Sequence, residues 1–336
     1  MAEIRLENVG HSYDEGATFA LNPISLTWKD GDAIALLGPS GCGKTTLLNI
    51  ISGLLTPSVG RVYFDGVDVT DLDTAKRNVA QVFQFPVLYD TMTVRQNLAF
   101  PLKNRNVAKD VIAARVEEIA ELLGISKYLD IRPLKLRSDL QQLVSLGRGL
   151  VRKDVPAILF DEPLSNLDAK LRVQMRTELM RLHREFGSTI VYVTHDQVEA
   201  MTMAQKIIVL NNGHVAQMGK PMDLYRDPEN TFVAQFIGVP KMNLLRGNLQ
   251  ADVFTLQSGQ KLQLDCGYSD GVNLQLGVRP EHLKLKLLAQ GTGSENNSEH
   301  SWTVDVVERL GVESFIHLCN AARDGLVLRL EGDCDL

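Results

Sequence analysis

Residues Gly38-Pro39-Ser40-Gly41-Cys42-Gly43-Lys44-Thr45 carry the strongest chemical signal in the chain. They match the pattern GxxxxGK[ST] in full. The glycines let successive backbone N–H groups curl around phosphate oxygens. A helix beginning at the end of the loop, through Thr45 and Thr46, adds its partial positive charge. Lys44 is placed to reach β- and γ-phosphates, and Thr45 to ligate Mg²⁺. The second signal is Ile158-Leu159-Phe160-Asp161-Glu162, an apolar strand that delivers two acids at its C-terminal end. Ligands bind at that end in open α/β sheets. Asp161 can support Mg²⁺ through water, and Glu162 can polarise an attacking water. Alone, this second pattern is weak, because many strands end in solvated acids. Together with a phosphate loop in the same chain, it points to hydrolysis of a nucleoside triphosphate.

Such a site needs strands to aim the loops. The run Ala33-Ile34-Ala35-Leu36-Leu37 directly before the loop reads as a buried central strand. Leu47, Leu48, Ile51 and Leu54 after it keep helical spacing, and the helix is expected to end between Gly53 and Pro57. Ile158 to Phe160, Ile190 to Val193 and Ile207 to Leu210 are further buried strands. Asp168 to Phe186 is a long helix, its alternating charges a solvated face. Residues 91–153 are mostly helical, with Val116, Ile119, Ala120 and Leu123 on one face of an amphipathic segment. Alternating strands and helices imply an α/β core with a largely parallel sheet. After Gly238 short strand-like runs separated by turns take over, such as 253–256, 262–264 and 274–276, which predicts a small all-β domain. Residues 290–301 read as a polar loop.

Length and composition fit this plan. The chain has 336 residues, suited to two domains, with 44% hydrophobic and 23% charged residues. The net charge is −6, from 35 Lys and Arg against 41 Asp and Glu, which argues against a nucleic-acid binder. No run approaches the roughly 20 apolar residues of a membrane-spanning helix. Met1-Ala2-Glu3-Ile4-Arg5 offers no apolar leader, so a cytoplasmic location is expected. Cys42, Cys266, Cys319 and Cys334 are scattered without CxxC pairing and read as free thiols. Cys42, inside an electropositive loop, is expected to be thiol-reactive when nucleotide is absent.

Further motifs bring a family into view. Leu164-Ser165-Asn166-Leu167-Asp168 follows Asp161-Glu162-Pro163. Val193-Thr194-His195-Asp196 and Val82-Phe83-Gln84 flank it in the chain, and Tyr13 precedes Ala20-Leu21. In order and spacing these resemble the D-loop, switch histidine, Q-loop and adenine-stacking aromatic of ABC ATPases. The resemblance implies a P-loop RecA-like ABC ATPase domain over residues 1–237, with a helical insert at about 88–153. It implies that ATP and Mg²⁺ are bound, that Tyr13 stacks on adenine, and that Gln84 touches Mg²⁺ or the attacking water. It also implies that His195 contacts the γ-phosphate and that Asp168 helps two copies communicate. Each has a plainer alternative: Tyr13 a surface aromatic, Gln84 a solvated strand-end residue, His195 a helix cap. Gly219-Lys220-Pro221, Asn230 to Gly238, Pro240 to Asn243 and Gly277 to His282 are similar to the carbohydrate-importer branch, in which an OB-like β domain follows the motor. Residues 238–336 are assigned to it.

The chain departs from the family at the signature Leu-Ser-Gly-Gly-Gln, where Leu136-Arg137-Ser138-Asp139-Leu140 stands instead. In the family these small residues close over a γ-phosphate held by the other subunit. At ~4 Å and an effective dielectric of ~20, Asp139 would repel a unit negative charge by about 4 kcal/mol, several hundredfold in binding, unless Arg137 offsets it or Asp139 turns away. The expected remedy is pairing with a second, non-identical ATPase subunit whose signature is intact. The rival is a homodimer with rebuilt sites. The segment ending in Leu336 is shorter than in importer relatives, which questions a regulatory role for the β domain.

The reading is then an ATP-hydrolysing motor of an importer for a sugar, polyol or glycerol-type solute. It would sit peripherally on the cytoplasmic membrane face, with two membrane-spanning permease subunits and an extracytoplasmic solute-binding protein. The apolar stretch Phe85-Pro86-Val87-Leu88-Tyr89 is the expected permease contact, internal packing being the alternative. A soluble repair or translation ATPase, a catalytically weakened regulatory subunit and an exporter motor are the rival classes.

Overall fold

The computed structural model describes residues 2–14, 18–264, 267, 269–285, 302–320, 322 and 324–332. The polar loop at 290–301, Cys266 and Cys334 therefore lie outside the described residues. The chain divides into two compact units, Met1–Asp227 and Pro228–Leu336. The division falls earlier than residue 237, and the packing gives a reason. Buried Arg279 of the second unit donates Nη1 to the carbonyls of Ala234 (2.9 Å) and Ile237, which ties the preceding helix to that unit.

In the first unit β1 (Ile4–Ser12) and β2 (Phe19–Trp28) form an antiparallel ribbon. The central strand β3 (Ala33–Leu37) is buried at every position, as its unbroken apolar run requires. Helix α1 (Lys44–Ser52) follows the phosphate loop, and β4 (Val59–Phe64) and β5 (Val67–Asp68) extend the ribbon to the order β2-β1-β4-β5. A short helix α2 (Thr74–Arg77) leads to β6 (Ala80–Val82). Three helices, α3 (Val94–Lys103), α4 (Lys109–Leu122) and α5 (Ser138–Leu150), then occupy the stretch before β7 (Ala157–Asp161). Next come α6 (Ala169–Phe186), β8 (Thr189–Thr194), α7 (Gln197–Met203), β9 (Lys206–Asn211), β10 (His214–Gly219) and α8 (Pro221–Arg226).

The six-stranded sheet has the order β10-β9-β3-β8-β7-β6. All its strands run parallel except β10, which is antiparallel to β9. This order positions the site. β3, β8, β7 and β6 are consecutive neighbours in space, so their C-terminal ends open side by side although they are far apart in the chain.

One buried cation secures the far end of α1. Arg77 is 2% exposed and donates to the carbonyls of Ile50 (2.6 Å), Ile51 (3.0 Å), Thr70 (2.7 Å) and Leu72 (2.9 Å). A helix C-terminus presents unpaired carbonyls and partial negative charge, and the guanidinium answers both. Arg77→Met keeps the stem but strands these acceptors. It is expected to destabilise by about 3 kcal/mol, lowering the melting temperature by roughly 6–12 °C, as calorimetry would show.

The second unit holds α9 (Thr231–Phe236) and β11 (Asn243–Gln250), β12 (Val253–Leu256), β13 (Lys261–Gln263) and β14 (Gly271–Val278), in the antiparallel order β13-β12-β11-β14. A second antiparallel sheet joins β15 (Thr303–Arg309), β16 (Glu313–Cys319) and β17 (Gly325–Glu331). Phe254, Leu256, Ile316 and Leu328 share one core. Asn243 joins the sheets through a paired exchange with Val327, at 2.9 and 2.8 Å. Period-two burial along β11 and β16 is what the alternating sequence predicts. Among the described residues no helix is long and apolar enough to cross a membrane.

Candidate active site

A solvent-open cleft of about 1040 Å³ lies over the strand ends, and its walls include Tyr13, Ser40, Gly43 to Thr46, Gln84, Glu162 and His195. Four expected residues, Gly38, Pro39, Cys42 and Asp161, do not line it directly. The loop leaves β3 through tight backbone turns. Gly38 has φ +158°, and a Cβ there would stand 2.3 Å from the carbonyl oxygen of Leu210. Gly43 has φ +102°, and a Cβ would meet the carbonyl oxygen of Ala20 at 2.7 Å. Neither position admits a side chain without moving backbone. Gly43 is also the N-cap of α1 and brings no capping side chain, so the helix end keeps its N–H groups for a ligand.

Lys44 folds back over the loop. Its Nζ donates to the carbonyls of Gly38 (2.8 Å) and Pro39 (2.7 Å). Cys42 lies beneath, 3% exposed, its Sγ 3.7 Å from the same ammonium. This corrects the expected thiol reactivity of Cys42. The side chain turns into the core, away from any reagent in the cleft.

The acids follow β7. Thr45 Oγ1 donates to Asp161 Oδ1 at 3.4 Å. Burial, and then the neighbouring Glu162 charge, push the Asp161 carboxyl above the usual range. Glu162 occupies the left-handed region at φ +46°, unusual for a side chain of this size. Its backbone is over-determined. Its N–H bonds the Val193 carbonyl at 2.9 Å, and its carbonyl accepts from Ser165 Oγ at 2.9 Å. Glu162 Oε2 accepts from Gln84 Nε2 at 3.3 Å and lies 3.0 Å from His195 Nδ1. Residues 78 and 33 positions away in the chain thus converge on one carboxylate.

Helix capping decides the plainer alternative for His195. Asp196, not His195, caps α7, accepting from Val198 and Glu199 N–H groups at 2.7 and 3.2 Å. His195 is left 64% exposed towards the cleft. Asp168 caps α6 through the Leu171 N–H at 3.0 Å. Tyr13 stands at the cleft edge, 67% exposed, its hydroxyl 3.2 Å from Thr46 Oγ1. Sequence reasoning missed two supports. Asn166 Nδ2 donates to the Gln84 carbonyl at 3.1 Å, and buried Gln142 on α5 donates to the Pro163 carbonyl at 3.0 Å. Both act on backbone, so residue type alone gave no signal.

At the altered signature, Arg137 precedes α5 and is 79% exposed. It pairs with Asp139, which also accepts from the Leu140 N–H at 2.9 Å. The guanidinium holds the Asp139 carboxyl below the usual range. Arg137 thus offsets the charge within the same turn, and Asp139 answers the helix's own N-terminus.

A glycine-tight cradle at a helix N-terminus takes a phosphate chain, and a carboxylate with a histidine beside it serves a water attacking the last phosphate. That combination defines the class, a P-loop ATPase. Residues 21–165 match the family model described as ABC transporter. The sn-glycerol-3-phosphate import ATP-binding protein of Brucella abortus is 44% identical over 332 residues, covering 99% of this chain and 91% of that protein. The protein of the same description from Escherichia coli O6:H1 is 45% identical, covering 94% and 88%. Among solved structures, the dimeric post-hydrolysis state of the ATP-binding cassette MJ0796 with ADP and Pi matches with TM-score 0.60 and 32% identity, over 65% of this chain and 98% of that one. The cbiO1 protein of Clostridium perfringens matches at TM-score 0.60 and 27% identity, over 67% and 91%. The chain belongs to the ABC transporter family and is one of its ATP-binding subunits, a transport-coupled ATPase.

Proposed function

We propose that this chain is the motor of an importer for a glycerol-phosphate, polyol or sugar-type solute, working peripherally on the cytoplasmic membrane face. The near full-length similarity to glycerol-phosphate import ATP-binding proteins supports import. The observation that carries the mechanism is the convergence of Gln84, Glu162 and His195 beside the phosphate loop. Glu162 orients water for in-line attack, His195 and Lys44 meet charge on the γ-phosphate, and Tyr13 offers its exposed face to adenine. The backbone of Gly38 to Thr46 cradles the phosphates. Thr45 Oγ1 and Asp161 Oδ1, 3.4 Å apart, together with Gln84, fit Mg²⁺ carried in with ATP, whose charge would offset the burial and the neighbouring Glu162 that push the Asp161 carboxyl up. Held there, the ion would supply charge neutralisation to the phosphate chain.

The partners follow from the same reading: two permease subunits, a solute-binding protein and a second ATPase subunit. Phe85 (70% exposed), Val87 and Tyr89 offer the permease an apolar surface, while Leu88 packs inward. The relatives' names do not speak to whether the second ATPase is identical. The bulk of Arg137 and Asp139 where the family carries small residues, and not their charge, which they cancel between themselves, is the ground for proposing a non-identical one and, as the second reading, a weakened, regulatory role for this chain.

The test is the complex itself, isolated through this chain and rebuilt in liposomes. Turnover is expected to rise when the binding protein carries sn-glycerol 3-phosphate, glycerol or a sugar. Native mass spectrometry is expected to find one copy of this chain beside a different ATPase. Two copies with no other ATPase would overturn the asymmetric pair. Absence of permease subunits would overturn the transport reading.

A further inference from the structure

Behind His195 lies a buried carboxylate to which the proposed mechanism gives no role. Glu199 sits in the first turn of α7 and is 3% exposed. Its Oε2 accepts from Thr194 Oγ1 at 2.7 Å and from Tyr192 Oη at 3.0 Å. Tyr192 and Thr194 are two apart on β8 and so share a face. Thr194 Oγ1 in turn accepts from the Asp196 N–H at 2.9 Å. The residues on both sides of His195 are thereby fixed by one chain of hydrogen bonds ending on Glu199. Burial pushes the Glu199 carboxyl up, while its two hydroxyl donors hold it down. The charged groups around it are Asp196 and Arg172, themselves 3.8 Å apart.

A carboxylate is an acceptor only, and this fixes direction. Thr194 has to donate inward, which leaves its lone pair for the Asp196 N–H. The Tyr192 ring also packs against Phe160, centroids 5.9 Å apart, on the strand that carries Asp161 and leads to Glu162. The same anchor therefore braces both strands whose ends bring His195 within 3.0 Å of Glu162.

We infer that Glu199 is a positioning residue for ATP hydrolysis, holding the 194–196 backbone so that His195 meets Glu162 and the γ-phosphate. The inference rests on the proposed role of His195. The test uses the assembled complex and compares Thr194→Val, Glu199→Ala, Glu199→Gln and His195→Ala. Thr194→Val keeps the volume and removes only the link, so it guards against a Glu199→Ala variant that does not fold.

Turnover per folded molecule is expected to fall at least ~10-fold in Thr194→Val, with ATP affinity, read by a fluorescent ATP analogue, within about twofold. Glu199→Gln, whose amide oxygen accepts both hydroxyls, is expected to keep roughly a third or more of turnover. The NMR chemical shifts of the His195 imidazole are expected to move in Thr194→Val. Unchanged turnover in Thr194→Val, or a loss of ATP affinity as large as the loss of turnover, would overturn the inference. If His195→Ala itself turned over normally, the role of His195 would be what fails.

Discussion

Glu162→Gln is expected to leave ATP bound and nearly abolish its hydrolysis. The amide keeps the size of the side chain and can still hydrogen-bond Gln84 and water, so the cleft keeps its shape. What it loses is the ability to take a proton from the attacking water and the negative charge that orients His195 at 3.0 Å. General-base catalysis contributes about 10²–10⁴-fold, and turnover is expected to fall by that much. Removing a carboxylate from beside the γ-phosphate also removes repulsion, so ATP affinity should hold or tighten. Phosphate release measured beside retention of labelled ATP on gel filtration reads both quantities. Full turnover in the variant would remove Glu162 from the mechanism.

Lys44→Ala has the opposite signature, a loss of binding. Of the residues lining the described cleft, Lys44 is the only lysine or arginine, and it faces a ligand of several negative charges. Its resting contacts are two carbonyls of its own loop, which phosphate oxygens replace on binding. Charge-assisted hydrogen bonds to phosphate are worth about 1.5–3 kcal/mol, so ATP affinity should weaken roughly 10- to 100-fold. The melting temperature should also fall somewhat, because Lys44 is 6% exposed and its removal leaves the buried Gly38 carbonyl without its partner. Titration with a fluorescent nucleotide gives the affinity. Binding within twofold of the unaltered chain would mean that the α1 N-terminus alone holds the phosphates.

The elements of the first unit were readable because their patterns are unmixed. Residues 33–37, 157–161 and 189–194 are buried throughout, and unbroken apolar runs bounded by turn residues say as much. The order of those strands was not readable. It is set by which crossovers pack on which face, and no short window of sequence carries that. The meeting of Gln84, Glu162 and His195 therefore had to come from motif resemblance, and its distances only from the fold. Glu199 went unnoticed for a related reason. A glutamate in the first turn of a short helix suits the dipole and reads as solvent-facing, yet Tyr192 and Thr194 bury it. The signature departure was visible in the sequence, and the fold supplied the local answer in which Arg137 neutralises Asp139. The motifs put the boundary at residue 237, and the hydrogen bonds of Arg279 that tie residues 234 and 237 to the second unit are not legible in any short window of sequence.

The backbone of Glu162 has a bearing on how this protein can change. A glutamate held at φ +46° stores strain of about 1–3 kcal/mol, which glycine or asparagine at the same place would relieve. Both replacements lack the carboxylate proposed to orient water. A laboratory selection for heat resistance alone would thus reward the loss of hydrolysis at this position. Only a screen that demands turnover would keep the acid, and the most stable relatives such an experiment yields would be those that bind ATP and do nothing with it.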